Sequence, residues 1–105
     1  VKTLNLKIDL STLNISDEEK KKNSVEIVVN IIKSVILAYA TQSKGFSEEE
    51  RRIYYKICDA FDLVIKEGKE ETILDDNYAI FIKKAFKDTK LMPGDLLRKV
   101  EELLI

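Results

Sequence analysis

The stretch 25–40 constrains this 105-residue chain more than any other. Apolar residues fall at 25, 28, 29, 32, 35, 36, 39 and 40, the spacing that lines one face of a helix. The same stretch is rich in β-branched side chains (Val25, Ile27, Val28, Val29, Ile31, Ile32, Val35, Ile36), which by propensity argue for a strand. Length decides: about sixteen periodic residues exceed a usual strand. Ile27, Ile31 and Leu37 lie off the stripe, so the helix is apolar nearly all round and is expected to be the central, most buried element. Glu26, Asn30, Lys33 and Ser34 interrupt it, and over 25–40 it is too short to span a bilayer.

What packs on that helix can be read segment by segment. Leu4, Leu6, Ile8 and Leu10 alternate with Thr3, Asn5, Lys7 and Asp9, so a strand there puts four aliphatics on one face. The alternation breaks at Ser11-Thr12 and resumes out of phase at Leu13 and Ile15, which predicts a bulge or turn. Such a strand needs a partner for its backbone groups, and the internal candidate is Thr72-Ile73-Leu74. Ser16-Asp17-Glu18-Glu19 reads as a capping box, and Asn23-Ser24-Val25-Glu26 offers a second helix start. After a loop around Gly45, Ser47 and Glu50 cap a helix with the stripe Tyr54, Ile57, Cys58, Phe61, Val64 and Ile65, ended by Gly68. Asp75 caps a third helix carrying Tyr78, Phe81, Ile82, Ala85 and Phe86. Pro93, tolerated in a first turn, opens a fourth with Leu96, Leu97, Val100, Leu103 and Leu104.

The expected fold is therefore mainly α: a compact four-helix domain spanning 1–105, with an N-terminal β-strand and a minor two-stranded element. Val28, Ile32, Ile36, Ile57, Phe61, Ile65, Ile82, Phe86, Leu97 and Val100 are the expected core.

Composition removes most chemistries. The chain has no histidine, so imidazole catalysis and His-ligated metals are absent. One cysteine, Cys58, rules out an internal disulfide framework and fits a reducing compartment. Lying between Ile57 and Phe61, it reads as a small buried hydrophobe rather than a reactive thiol. No glycine-rich phosphate loop, zinc spacing or nucleophile elbow occurs. The interleaved first ten residues do not form the apolar block of a signal peptide, and a soluble intracellular protein is expected. No catalytic residue, cofactor or metal is expected. A reading in which Asp59 and Asp62 share a divalent ion is kept as an enzyme alternative.

Charge is laid out in blocks. Residues 59–76 hold seven acids and two lysines, net −5, and residues 83–99 hold six bases and two acids, net +4. Such polarity steers an oppositely charged partner, including a second copy, or equally lets the two segments neighbour each other within one monomer. Lys83, Lys87 and Lys90 follow i, i+4, i+7 and predict one basic stripe on a helix. Leu4, Leu6 and Ile8 predict an aliphatic strand face that another chain could cover. These two sets are the candidate interaction residues. They support a non-catalytic protein–protein interaction or assembly protein, self-associating or bound to another protein, with no membrane. The alternative is a small nucleic-acid-binding regulator using the basic stripe.

The overall plan resembles small helical proteins of similar size encoded by bacteriophages and prophages. The likeness is carried by Leu4-Asn5-Leu6-Lys7-Ile8-Asp9-Leu10 and by the apolar helix running into Gln42-Ser43-Lys44-Gly45. Tyr55-Lys56, Glu67-Gly68-Lys69 and Leu74-Asp75 extend it over most of the chain. The resemblance implies expression inside an infected bacterium, in the cytoplasm or the virion. It also implies a non-enzymatic role in virion assembly or in contacting a viral or host protein.

Overall fold

The computed structural model describes residues 2–11, 16–20 and 23–104. Leu13 and Ile15 lie outside the described residues. The chain runs β1 (Lys2–Asn5), α1 (Asp17–Lys20), α2 (Ser24–Gln42), α3 (Glu48–Glu67), β2 (Glu71–Leu74), α4 (Asp76–Asp88) and α5 (Asp95–Leu103). The single turn α1 follows the capping-box sequence at Ser16, and the four longer helices are those the periodicity predicts.

The apolar stretch is helical over 19 residues, three more than the sequence stripe. Asn23 supplies the start, its Oδ1 accepting from the Val25 N–H at 2.9 Å. At the far end the Thr41 hydroxyl donates to the Leu37 carbonyl (3.0 Å), and Ser43 Oγ donates to the Tyr39 carbonyl (2.8 Å). These bonds carry the helix past Ala40. At this length α2 is long and apolar enough to cross a membrane, which corrects the expectation that it is too short. In the fold it serves as the core helix instead, burying Val25, Val28, Val29, Ile32, Val35 and Ile36 and touching α3, α4 and α5. Ile27 and Ile31 are half-buried, whereas Leu37 is exposed, so one edge of the helix is left uncovered.

Ser47 and Glu50 form the full reciprocal capping box, at 3.2 Å and 3.0 Å. Gly68 ends α3 at φ 67°, a left-handed conformation that glycine adopts without penalty. Two predicted boundaries differ in detail. Asp75 stands at the start of α4 but makes no side-chain cap bond. Pro93 precedes α5 rather than opening it, because extended Gly94 (φ −170°, ψ 155°) is the N-cap.

β1 pairs antiparallel with β2 in the register Lys2↔Leu74, Thr3↔Ile73, Leu4↔Thr72 and Asn5↔Glu71. The Thr72–Leu74 run is thus the strand's partner. The ladder continues one step past the strand, with the Leu6 N–H donating to the Glu70 carbonyl at 2.9 Å. The side chains of Leu4, Leu6 and Leu10 stay buried at period two although the strand ends at Asn5.

Seven of the ten expected core residues have no exposed surface: Val28, Ile32, Ile36, Ile57, Phe61, Ile82 and Val100. Ile65, Phe86 and Leu97 are half-buried against that core. Rings from α2, α3, α4 and the loop before α3 close one end. Phe46 lies 5.7 Å from Tyr54 and 5.9 Å from Phe81, and Tyr39 meets Phe81 edge-on at 6.2 Å. The Cα radius of gyration is 13.6 Å. A compact unit of about 100 residues has about 13 Å.

Candidate interaction surface

Leu4 and Leu6 are core residues, 8% and 0% exposed, and half-buried Ile8 packs against the same core. β2 takes the hydrogen bonds of one edge of the strand and the helices take its apolar side chains, so among the described residues Leu4 and Leu6 leave no aliphatic face for a second chain to cover. This corrects the strand half of the sequence-derived interaction set.

The basic half changes shape. Lys83 and Lys87 are exposed on α4, one turn apart. Lys90 is not on that helix, since α4 ends at Asp88. Its backbone is held by Gln42 instead: the Lys90 N–H donates to Gln42 Oε1 (3.0 Å) and Gln42 Nε2 donates to the Lys90 carbonyl (3.1 Å). The predicted three-lysine stripe is therefore a pair, with Lys90 displaced onto the connection to α5. Lys84 lies with Nζ 5.9 Å from the Tyr39 ring centroid, where the amine meets the ring's electron-rich face.

The acidic block is matched from outside the basic one. Asp62 pairs with Lys33 of α2 at 3.1 Å, Glu70 with Lys7 at 2.8 Å, and Glu67 with Lys69 at 2.7 Å. Glu70 holds the exposed Lys7 amine above its ordinary value, by hydrogen bond first and charge second. Arg98 pairs along its own helix with Glu102. Asp59 stands exposed on α3. Among the described residues, no group of three or more Asp, Glu or Cys converges on a point that could hold a metal ion. Cys58 is half-buried rather than buried, one turn after Tyr54. Burial first, and the hydrogen bond with Cys58 second, push the Tyr54 hydroxyl up to about 12.

Two of the concave surfaces among the described residues gather residues that the sequence did not bring together. Ile31, Val35 and Ala38 of α2 face Leu91, Leu96 and Leu97 across an open apolar groove of about 520 Å³ with no charged residue in its lining. Beyond Leu91 and Leu97 it runs into a second hollow, bordered by Pro93, Asp95, Arg98 and Glu101. Ile31 was visible as an off-stripe apolar residue. Its pairing with Leu91 follows from the Gln42–Lys90 clasp, and no local sequence signal announces that clasp.

The second concavity lies between the sheet and the two C-terminal helices. It brings Leu4 and Lys83, from the two halves of the predicted set, into one lining, together with Lys2. Lys87 borders the adjoining hollow. Lys2 escaped notice because only the β1–β2 pairing carries it to α4.

Comparison with protein-family models, curated proteins and solved structures found no match.

Proposed function

We propose that this protein is a non-catalytic interaction module that associates with further copies of itself. The observation that carries the reading is the groove between α2 and Leu91, Leu96 and Leu97: an apolar, uncharged channel on a chain whose surface is otherwise dense in charge. The second copy is favoured as its occupant by charge. Residues 59–76 carry net −5 and residues 83–99 net +4. Several of the acids are matched by Lys7, Lys33 and Lys69, none of which belongs to the basic block. Within the basic block Arg98 pairs with Glu102, whereas Lys83 and Lys87 enter none of the ion pairs among the described residues, and an acidic surface of a second copy is their complement. A contact joining different surfaces of two copies is head-to-tail, and builds a ring or a filament.

The sequence resemblance to phage-encoded helical proteins supports a setting in an infected or prophage-carrying bacterium. There such an assembly would serve a particle or engage a viral or host protein.

Sedimentation velocity at micromolar concentration and low salt is the test. The wild-type chain is expected to sediment as an oligomer. Ala38→Arg, which sets a charge in the groove, is expected to sediment as a monomer with its melting temperature little changed. A monomeric wild type overturns the reading. If that monomer also retards DNA or RNA at low salt, and Lys83→Glu with Lys87→Glu abolishes the retardation, the nucleic-acid regulator replaces it.

A further inference from the structure

On the side formed by β1, β2, α4 and α5, the fold leaves a partly open cavity of about 170 Å³. Its walls are Leu4, Leu74, Ile82 and Leu104, and Lys2 and Lys83 stand in the same lining. Lys83 and Leu104 also border a shallower hollow of about 270 Å³ with Phe86, Lys87 and the carboxylate residue Glu101, so Lys83 marks the junction of the two spaces.

The two lysines are close enough for Lys2 to pull the Lys83 amine below its ordinary value, by hydrogen bonding first and by like charge second. Ion pairs among the described residues use Lys7, Lys33, Arg52, Lys69 and Arg98, and join neither Lys2 nor Lys83 to a carboxylate. Two ammonium groups brought together repel one another, and an anion seated between them would relieve that repulsion. Directly beside them is apolar space of a size that decides the class of occupant. An apolar cavity of roughly 150 Å³ admits benzene, whereas drug-sized ligands need about 300 Å³ or more.

We propose that this cavity binds a small amphipathic oxyanion, its head between Lys2 and Lys83 and its apolar group, of about benzene size, among Leu4, Leu74, Ile82 and Leu104. The head is a carboxylate or a phosphate monoester, since both present oxygens that accept from two ammonium groups. The site is separate from the α2 groove and stands whether or not the chain self-associates.

The test titrates the full chain with hexanoate, hexyl phosphate, inorganic phosphate and hexanol, reading the melting temperature and the amide resonances of Leu4, Leu74 and Ile82. Hexanoate, hexyl phosphate or both are expected to raise the melting temperature and move those resonances, the stronger of the two identifying the head group. Inorganic phosphate and hexanol are expected to do neither. Lys83→Gln, an exposed substitution whose folding is checked by its ligand-free melt, is expected to weaken binding by at least about tenfold. An equal response to inorganic phosphate reduces the site to a patch of surface charge and overturns the proposal. An equal response to hexanol, an unchanged affinity in Lys83→Gln, or no response to either amphiphile at millimolar concentration also overturns it.

Discussion

Thr89 closes α4 with its side chain buried, at 7% exposure, and its hydroxyl makes no hydrogen bond among the described residues. A buried hydroxyl without a partner costs about 1–3 kcal/mol. Replacing it with a methyl of the same shape removes that cost, so Thr89→Val is expected to raise stability by about 1 kcal/mol in urea unfolding. Gly68 shows the opposite sensitivity. An added Cβ would meet nothing within 4 Å, but φ is 67°, so Gly68→Ala is expected to cost about 1–2 kcal/mol through backbone conformation alone. Tyr54 sets a pH limit. Its hydroxyl is raised by burial to about 12 from an ordinary 10, so the folded state favours the protonated phenol. That contribution is fully present below pH 10 and is lost as pH rises toward 12. The melting temperature of the wild type should therefore fall across this window, and that of Tyr54→Phe should fall less. Absorbance titration of the phenolates should lose a step near 12 in the same variant.

At the scale of elements, what could be read from the chain was whatever is periodic or capped. The stripes of α2 to α5, the Ser47–Glu50 box and the Gly68 stop are local patterns, and each stands where the residues place it. The Thr72–Leu74 partner was legible too, as the remaining β-rich run. What stayed hidden is made by residues distant in sequence. Gln42 takes both backbone groups of Lys90 across 48 positions, and this clasp shapes the groove and moves Lys90 off the predicted stripe. Reading Leu4, Leu6 and Ile8 as an outward face failed for a similar reason: alternation says that one face is apolar, not what covers it. Burial of that face gives a distinct expectation. Leu6→Ala is expected to cost about 2–5 kcal/mol, independent of protein concentration, whereas an interface residue would show a concentration-dependent loss. Ile73, 67% exposed on the other face of the sheet, should tolerate Thr with little change.

Taken as one body, the molecule carries an acidic and a basic segment and an uncharged channel on its surface. If copies meet through opposite charge, association depends on ionic strength, because the screening length falls from about 10 Å at 0.1 M salt to about 3 Å at 1 M. The oligomer expected in sedimentation should therefore shrink with added salt while the melting temperature of the chain changes little. Lys87→Glu should shift the same equilibrium toward monomer even at low salt.

The two strands of the sheet come from opposite ends of a long intervening chain, with α2 and α3 complete between them. Helices of neighbouring sequence can dock early, but β1 has nowhere to pair until α3 has delivered β2, so closing that span belongs late on the folding route. Stopped-flow kinetics should show it. Leu4→Ala should accelerate unfolding while barely slowing refolding, whereas Ile36→Val, on the central helix, should act on the refolding limb. The N-terminal strand then works as the latch of a fold already assembled, and the lifetime of the native state is set where the chain begins its pairing.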